Sequence, residues 1–216
     1  RKKYLLGSSD LGIAAGLPGY KSRYKLSQDK RHKTKTEVTW AMQHGRDNEP
    51  VAAEYATKEL AKFLPGELWL EQLGLVASPT HEWLAASPDR ILHSLLPDGQ
   101  IESYNLELKC TVNVPPDQPR VQHIVQCYAQ MHCLRYVKTS FLYYWHHADT
   151  ALWRIKWSED VWRWIMLGAE QWVRDHNAHS VPSRNTQQTQ NEQYFRHLLR
   201  LHGVLTKLDQ TPRESQ

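Results

Sequence analysis

Apolar and polar positions along this chain recur at two periods, and the places where the period changes mark its elements. The segment Gly7 to Leu17 opens on Ser8, Ser9 and Asp10, three candidate N-caps, and continues as an apolar run from Leu11. It predicts a short helix whose first turn could hold a phosphate on free backbone amides. The polar stretch over 18–35 predicts a loop. Helical spacing then runs from about Thr36 to Leu64. Pro50 is expected to kink this helix or start a new one, with Val51, Ala52, Tyr55 and Ala56 as an apolar stripe beyond it. Three strand-like segments come next, at about Leu68 to Ala77, His81 to His93 and Gln100 to Val112.

Pro115-Pro116-Asp117 interrupts the chain before a helix over Arg120 to Arg135. Ile124, Tyr128, Met131 and Leu134 form its apolar face, while Gln122, Gln126 and Gln130 recur every fourth residue as a polar stripe. Phe141 to Trp145 and Ala151 to Trp157 predict a hairpin around Ala148-Asp149-Thr150. Ser158 caps the helix that follows, whose core face is Trp162, Ile165, Ala169 and Trp172. The Gln-rich residues 181–193 predict a linker. A last amphipathic helix, about Glu192 to Leu205, carries Phe195, Leu198, Leu199 and Leu205, which must dock on another subunit or elsewhere. The fold class is α/β (α+β), a central mixed sheet flanked by helices. One domain is expected over 1–180, with the linker and helix of 181–216 appended.

The densest chemistry lies in the second and third strands. Glu107 and Lys109 are two apart, so on a strand they share a face, and Leu106 and Leu108 anchor the other. Pro97-Asp98-Gly99 reads as a hairpin turn that brings Asp89, in Ser87-Pro88-Asp89, beside Glu107. Register decides whether they meet. A two-residue loop pairs position 89 with 108 and turns Asp89 to the wrong face. A three-residue loop pairs 89 with 107, on the same face. Two carboxylates and an ammonium at one sheet edge suit a divalent metal holding a phosphodiester, with the Leu108 carbonyl as a further ligand. The bland alternative is a surface hairpin with an i, i+2 charge pair.

Charge adds a possible partner. The 216-residue chain has a net charge of +4, yet residues 1–35 hold ten Lys/Arg and two Asp/Glu, so the excess lies wholly at the N-terminus. Lys21, Arg23, Lys30, Arg31, Lys33 and Lys35 suit an arm on a phosphate backbone, against the alternative of a solvated loop. No apolar run spans a bilayer and no signal-peptide pattern is present. Three cysteines, an odd and sparse count, point to a reducing, intracellular compartment. His123, Cys127, His132 and Cys133 fit no standard zinc spacing, and buried thiols are the expectation.

The ordered set Gly7-Ser8-Ser9-Asp10, Met42-x-x-Gly45-x-x-x-Glu49-Pro50, Ser87-Pro88-Asp89, Glu107-Leu108-Lys109 and His123-x-x-Gln126-x-Tyr128-x-Gln130 resembles the lambda-exonuclease or YqaJ-like viral recombinase family of PD-(D/E)xK nucleases. The resemblance covers roughly residues 1–180. It implies a restriction-endonuclease-like core and a Mg²⁺-dependent exonuclease that resects double-stranded DNA ends 5′ to 3′. Mn²⁺ is expected to substitute, and Ca²⁺ to permit binding without turnover. It implies a single-strand annealing protein as partner and a homotrimeric ring. Glu49 matches the family's helical metal carboxylate, and Ser9, Ser87 and Gln126 match its phosphate contacts. Lys2 stands where the family has an arginine for a terminal 5′-phosphate, His123 where it has a tyrosine, and Arg90 where a glycine often follows the Pro-Asp. Lys109 either orients and stabilises the attacking hydroxide or acts as the base. The alternatives are a structure-specific endonuclease and a non-catalytic DNA-binding module on a nuclease scaffold.

Overall fold

The structure, a computed structural model, describes residues 4–33, 37–180, 182 and 187–208. Lys2 and Lys35 lie outside them. The first strand, β1 (Leu6–Gly7), leads directly into helix α1 (Ser8–Ala14), whose Leu11, Ile13 and Ala14 are buried. Helix α2 (Arg23–His32) occupies the stretch whose polarity predicts a loop. Its N-cap Ser22 accepts the Lys25 N–H at 3.1 Å, and Leu26 and Ser27 are buried. The Trp172 indole donates to the Arg23 carbonyl at 3.0 Å. Packing thus overrides a weak local propensity.

Helix α3 (Trp40–Leu60) starts from Thr39, whose side chain accepts the Met42 N–H at 3.3 Å. It runs through Pro50 without ending, so Pro50 does not start a new helix. Proline leaves the carbonyl of residue 46 unpaired, but Arg46 and Pro50 are both exposed and water can take that carbonyl. The strands that follow are β2 (Glu67–Glu71), β3 (Val76–Ala77), β4 (Leu84–Ala86), β5 (Arg90–Leu95) and β6 (Ile101–Cys110). Then come α4 (Val121–Leu134), β7 (Thr139–His146), β8 (Asp149–Lys156), α5 (Glu159–Asn177), α6 (Gln188–Leu201) and β9 (Leu205–Lys207).

The main sheet is mixed, in the order β2-β5-β6-β7-β8-β9, and β1, β4 and β3 form a small second sheet. β6 and β7 are parallel, joined by α4 as a crossover, and the other main-sheet pairs are antiparallel. One face packs on α1, α4, α5 and α6 around Ile91, Leu142, Trp153, Tyr128 and Trp172. The other packs on α3, where Ala52, Ala53, Ala56 and Leu60 meet Leu92, Leu106, Leu108 and Tyr143. β5 and β6 lie inside this order, so the predicted place of the site at the sheet's edge is corrected. The site lies where these central strands end.

The C-terminal segment also differs from expectation. Phe195, Leu198, Leu199 and Val204 belong to the same buried core as α4 and α5, and β9 extends the sheet alongside β8. The apolar face of α6 is covered by its own chain, not by a second copy. Phe195 is 0 % exposed and Leu201, on the opposite face, is 67 % exposed. Phe195→Ala is therefore expected to destabilise the whole protein by about 3–5 kcal/mol in urea denaturation, with a single transition. Leu201→Ala should stay within about 0.5 kcal/mol of the parent. Loss of α6 alone in the phenylalanine variant, with the rest melting unchanged, would contradict a shared core.

Candidate active site

Register is what assembles this site. The β5–β6 ladder pairs Leu95 with Ile101 and Arg90 with Leu106, and the Leu96 N–H donates to the Gln100 carbonyl at 2.8 Å. The loop tip is thus Pro97-Asp98-Gly99, with Gly99 at φ +83°, a conformation that favours glycine. The same register carried one step further sets Asp89 opposite Glu107, the odd-loop alternative of the two. Asp89 Oδ2 accepts the Leu108 N–H at 2.8 Å, which fixes the carboxylate against the end of β6. Leu106 and Leu108 point to the α3 side and are buried there, as the alternation predicts.

Glu107 and Lys109 point to the α4 side. Glu107 is 0 % exposed, a buried carboxylate that needs partners on both oxygens. Lys109 Nζ donates to Glu107 Oε1 and, at 3.1 Å, to Gln126 Oε1. Gln130 Nε2 donates to Glu107 Oε2 at 2.5 Å. Asn105 Nδ2 donates to Gln130 Oε1 at 2.8 Å and to Ser140 Oγ at 2.7 Å. A chain of polar groups therefore runs from β7 through Asn105, Gln130 and Glu107 to Lys109. Gln126 bonds Lys109, and the Ser87 carbonyl lies 3.4 Å from Gln130 Nε2.

The charges shift one another. Burial, and next the charge of Glu107, push the Asp89 carboxyl up to about 8. Burial disfavours the Lys109 ammonium, but Glu107 and Asp89 outweigh it and hold the amine above its ordinary value. Burial first, then Lys109 and Arg120, push the His123 imidazole down to about 2. His123 is thus a neutral ring beside the site, 2.8 Å from the Tyr144 hydroxyl.

A cavity of about 740 Å³ opens over these groups, lined by Gly45, Glu49, Asp89, Lys109, Arg120 and His123. Glu49 reaches it from α3, and there Arg90 donates to Glu49 Oε1 at 2.7 Å and to the Asp89 carbonyl at 2.5 Å. A second cavity of about 750 Å³ meets the first at Lys109 and Met42, and Ser9, Lys21 and Lys30 line it. Lys30 pairs with Asp10 at 2.6 Å and Lys21 with Asp29 at 2.7 Å. The buried Arg23 donates to the Gly168 carbonyl at 3.1 Å. Arg31 donates to the carbonyls of His176 and Ser180 at 3.2 and 3.1 Å. These two guanidiniums brace α2 against α5 and do not form a free arm, a correction to the expected basic loop. Lys33, which ends α2 at φ 50°, is exposed.

A model of the YqaJ-like viral recombinase domain matches residues 1–139. The chain belongs to this family. No curated protein sequence matches it significantly. Among solved structures, an alkaline exonuclease from Laribacter hongkongensis, LHK-Exo, is 17 % identical, with 92 % of this chain and 93 % of that one covered and a TM-score of 0.61. The same protein in complex with dAMP gives a TM-score of 0.60, also at 17 % identity. The shared fold is the mixed-sheet nuclease core that the motif order implies.

The donor set suits a hard cation. Asp89, Glu107 and the Leu108 carbonyl offer only oxygen, and Asp89 is a buried carboxylate raised by burial and then by the charge of Glu107. Among the described residues, no three His, Cys, Asp or Glu side chains stand together in metal-holding geometry. Glu49 is engaged by Arg90, and both Glu107 oxygens by Lys109 and Gln130.

Gln130 and Asn105 are the site's unforeseen members. Both carried a signal: Asn105 shares the face of Glu107 two residues on, and Gln130 lies one helical turn beyond Gln126. Gln130→Leu should cost about 1.5–3 kcal/mol in urea denaturation, because it strips a donor from a buried carboxylate and takes one of the two acceptors of the Asn105 amide. A stability equal to the parent's would mean that Glu107 does not depend on this bond.

Proposed function

We propose that this protein is a Mg²⁺-dependent DNA exonuclease that resects linear duplex 5′ to 3′. The observation that carries the proposal is the meeting of Asp89, Glu107 and Lys109 at one end of the sheet, with Asp89 and Lys109 lining a cavity that opens to solvent and Glu107 buried behind them. Family membership supports it, as does the fold shared with a protein described as an alkaline exonuclease. Asp89 and Glu107, with the Leu108 carbonyl, would hold the cation, and Glu49 would join them on release from Arg90. A cation bound there supplies Lewis-acid stabilisation of the phosphorane-like transition state and lowers the pKa of a bound water.

Lys109 stays an ammonium, since Glu107 and Asp89 favour its charge. It serves as a fixed positive group that orients the attacking hydroxide rather than as the base. Gln126 sets the lysine from the far side. Ser9, Lys21 and Lys30 would receive the DNA backbone along the adjoining cavity, and Ser87 and Lys33 would extend that surface. The strand-annealing partner and the homotrimeric ring complete this proposal on the family's pattern, with no contribution from the apolar face of α6.

Asp89→Ala, Glu107→Ala and Lys109→Ala should each lower hydrolysis of end-labelled linear duplex by on the order of 10³-fold, measured on protein that circular dichroism shows to be folded. Closed circular DNA should survive the parent enzyme with Mg²⁺. Cleavage of circles at a rate equal to that of linear duplex would replace the exonuclease by an endonuclease. Near-parental activity in any of the folded variants would remove the site.

Metal binding must also release a proton at neutral pH, because Asp89 is largely protonated below about 8 without the cation. Calcium titrations followed by calorimetry in buffers of different ionisation enthalpy should show release of close to one proton at pH 7. Release should fade above pH 9, and apparent affinity should rise with pH up to about 8 and then level off. Release of no proton at pH 7 would show that Asp89 does not ligate the cation.

A further inference from the structure

His123 lines the catalytic cavity, and its hydrogen bonding fixes which of its nitrogens carries the proton. Behind it stands Tyr144, fully buried, whose hydroxyl oxygen accepts the Arg120 N–H at 3.1 Å. The backbone N–H can only donate, so the proton of that hydroxyl needs an acceptor elsewhere. Among the described residues, His123 Nδ1 at 2.8 Å is the atom that can take it. A proton on Nδ1 would set two N–H groups against one oxygen and leave the tyrosine proton buried without an acceptor. Tyr144 therefore donates to Nδ1, and the proton of the neutral ring sits on Nε2.

That Nε2–H has something left to give. It bonds to no described residue, yet it is not buried: the buried side-chain atoms that lack a partner are all elsewhere. Nδ1 is turned to the core, so the open edge of the ring is the one on the cavity. Its place on α4 sets its neighbours. His123 precedes Gln126 by three residues and shares its helix face, and Gln126 bonds Lys109. Burial first, then the charges of Lys109 and Arg120, keep the imidazole neutral. His123 is thus an uncharged donor beside the lysine ammonium, and it neither takes up a proton nor gives one away.

We propose that His123 is a further catalytic residue of this site, whose Nε2–H donates to a non-bridging oxygen of the bound phosphodiester, and that Tyr144 is the positioning residue that holds the required tautomer. The identity of the acceptor rests on the nuclease proposal. The wall itself favours an anion there, since Arg46, Lys109 and Arg120 line the same cavity. A hydrogen bond to a charged oxygen is stronger than one to a neutral acceptor, and a donor already oriented by a buried partner needs no reorganisation to make it. Tyr144 acts through His123 alone: without its hydroxyl, nothing among the described residues would tell Nδ1 from Nε2 as the site of the proton.

Nitrogen NMR of the histidine rings in the full chain reads the tautomer without reference to activity, the His123 signals being identified by their loss in His123→Gln. Nε2 should be the protonated nitrogen, and Tyr144→Phe should leave a mixture of tautomers. A short linear duplex added with Ca²⁺ should shift the Nε2 signal. Two substitutions then separate the nitrogens, because a glutamine amide reaches the place of Nε2 and an asparagine amide only that of Nδ1. His123→Gln should keep kcat on linear duplex within about threefold of the parent, and His123→Asn should lose at least about tenfold, the worth of one hydrogen bond to a charged group. A proton on Nδ1, an Nε2 signal indifferent to DNA, or equal rates in the two variants would overturn the proposal. A single tautomer retained in Tyr144→Phe would remove the role of Tyr144. If either variant at 123 fails to fold, the two NMR measurements on the parent decide. An inactive parent whose Nε2 signal still responds to DNA defeats the nuclease proposal alone, and an active parent whose Nε2 signal ignores DNA defeats this one alone.

Discussion

A carboxylate buried in the core is the constraint on which this structure turns. Glu107 faces α4 from the middle of the sheet, where an unpaired charge would cost several kcal/mol. It is tolerable only because Lys109 arrives from its own strand and Gln130 from the helix. Those two bonds fix the rotation of α4 against β6, and with it the placement of Gln126, His123 and the tyrosines behind them. They also require a lysine that keeps its charge in a partly buried position, which its two acidic neighbours provide. The network is more than a packing solution. An apolar residue at 107 would join β6 and α4 with fewer demands, so the polar arrangement is best explained by the chemistry at its exposed end.

The sheet and the central trio were readable in advance because each rests on a local rule. The alternation of Leu106, Glu107, Leu108 and Lys109 fixes faces, and Pro97-Asp98-Gly99 offers a loop whose parity decides which carboxylates meet. Faces of α4 and α5 follow from spacing alone, and Tyr128, Met131, Trp162 and Trp172 are buried where the pattern puts them. What escaped was set by distant parts of the chain. The residues of α2 look like a solvated basic loop, yet Asp10, Asp29 and the carbonyls at the end of α5 absorb most of that charge. Polarity in a single sequence does not tell a cation facing water from one paired to a carboxylate twenty residues away. β9, three residues long, has no periodicity to betray it and exists because β8 offers a free edge.

Glu49 illustrates a different difficulty. Its position in the order of motifs says which element carries it, and α3 does bring it to the catalytic cavity. The order says nothing of Arg90, which follows Asp89 and closes on Glu49 from β5. In a site with a small residue at 90, a carboxylate at 49 would have only solvent or a cation to face. Here it has a standing partner, so any role in metal binding requires an exchange of one cation for another.

Charge balance carries that point further. Among the side chains bonded to one another here, Asp89, Glu107 and Glu49 stand with Lys109 and Arg90, three carboxylates against two cations, and Arg46 and Arg120 add their charge on the cavity wall. The surplus falls on Asp89, the carboxylate without an ion pair of its own, whose carboxyl is pushed up by burial and then by the charge of Glu107. A divalent ion at this point would replace the proton on Asp89 and turn the excess positive by a single charge. One phosphodiester would then restore neutrality. The site as folded is thus short of the charge that a metal and a phosphate together provide, whereas a monovalent cation alone would already complete it. An arrangement poised in this way favours the bound substrate over either component bound singly, because in a low dielectric each unbalanced charge is costly and the full set is not.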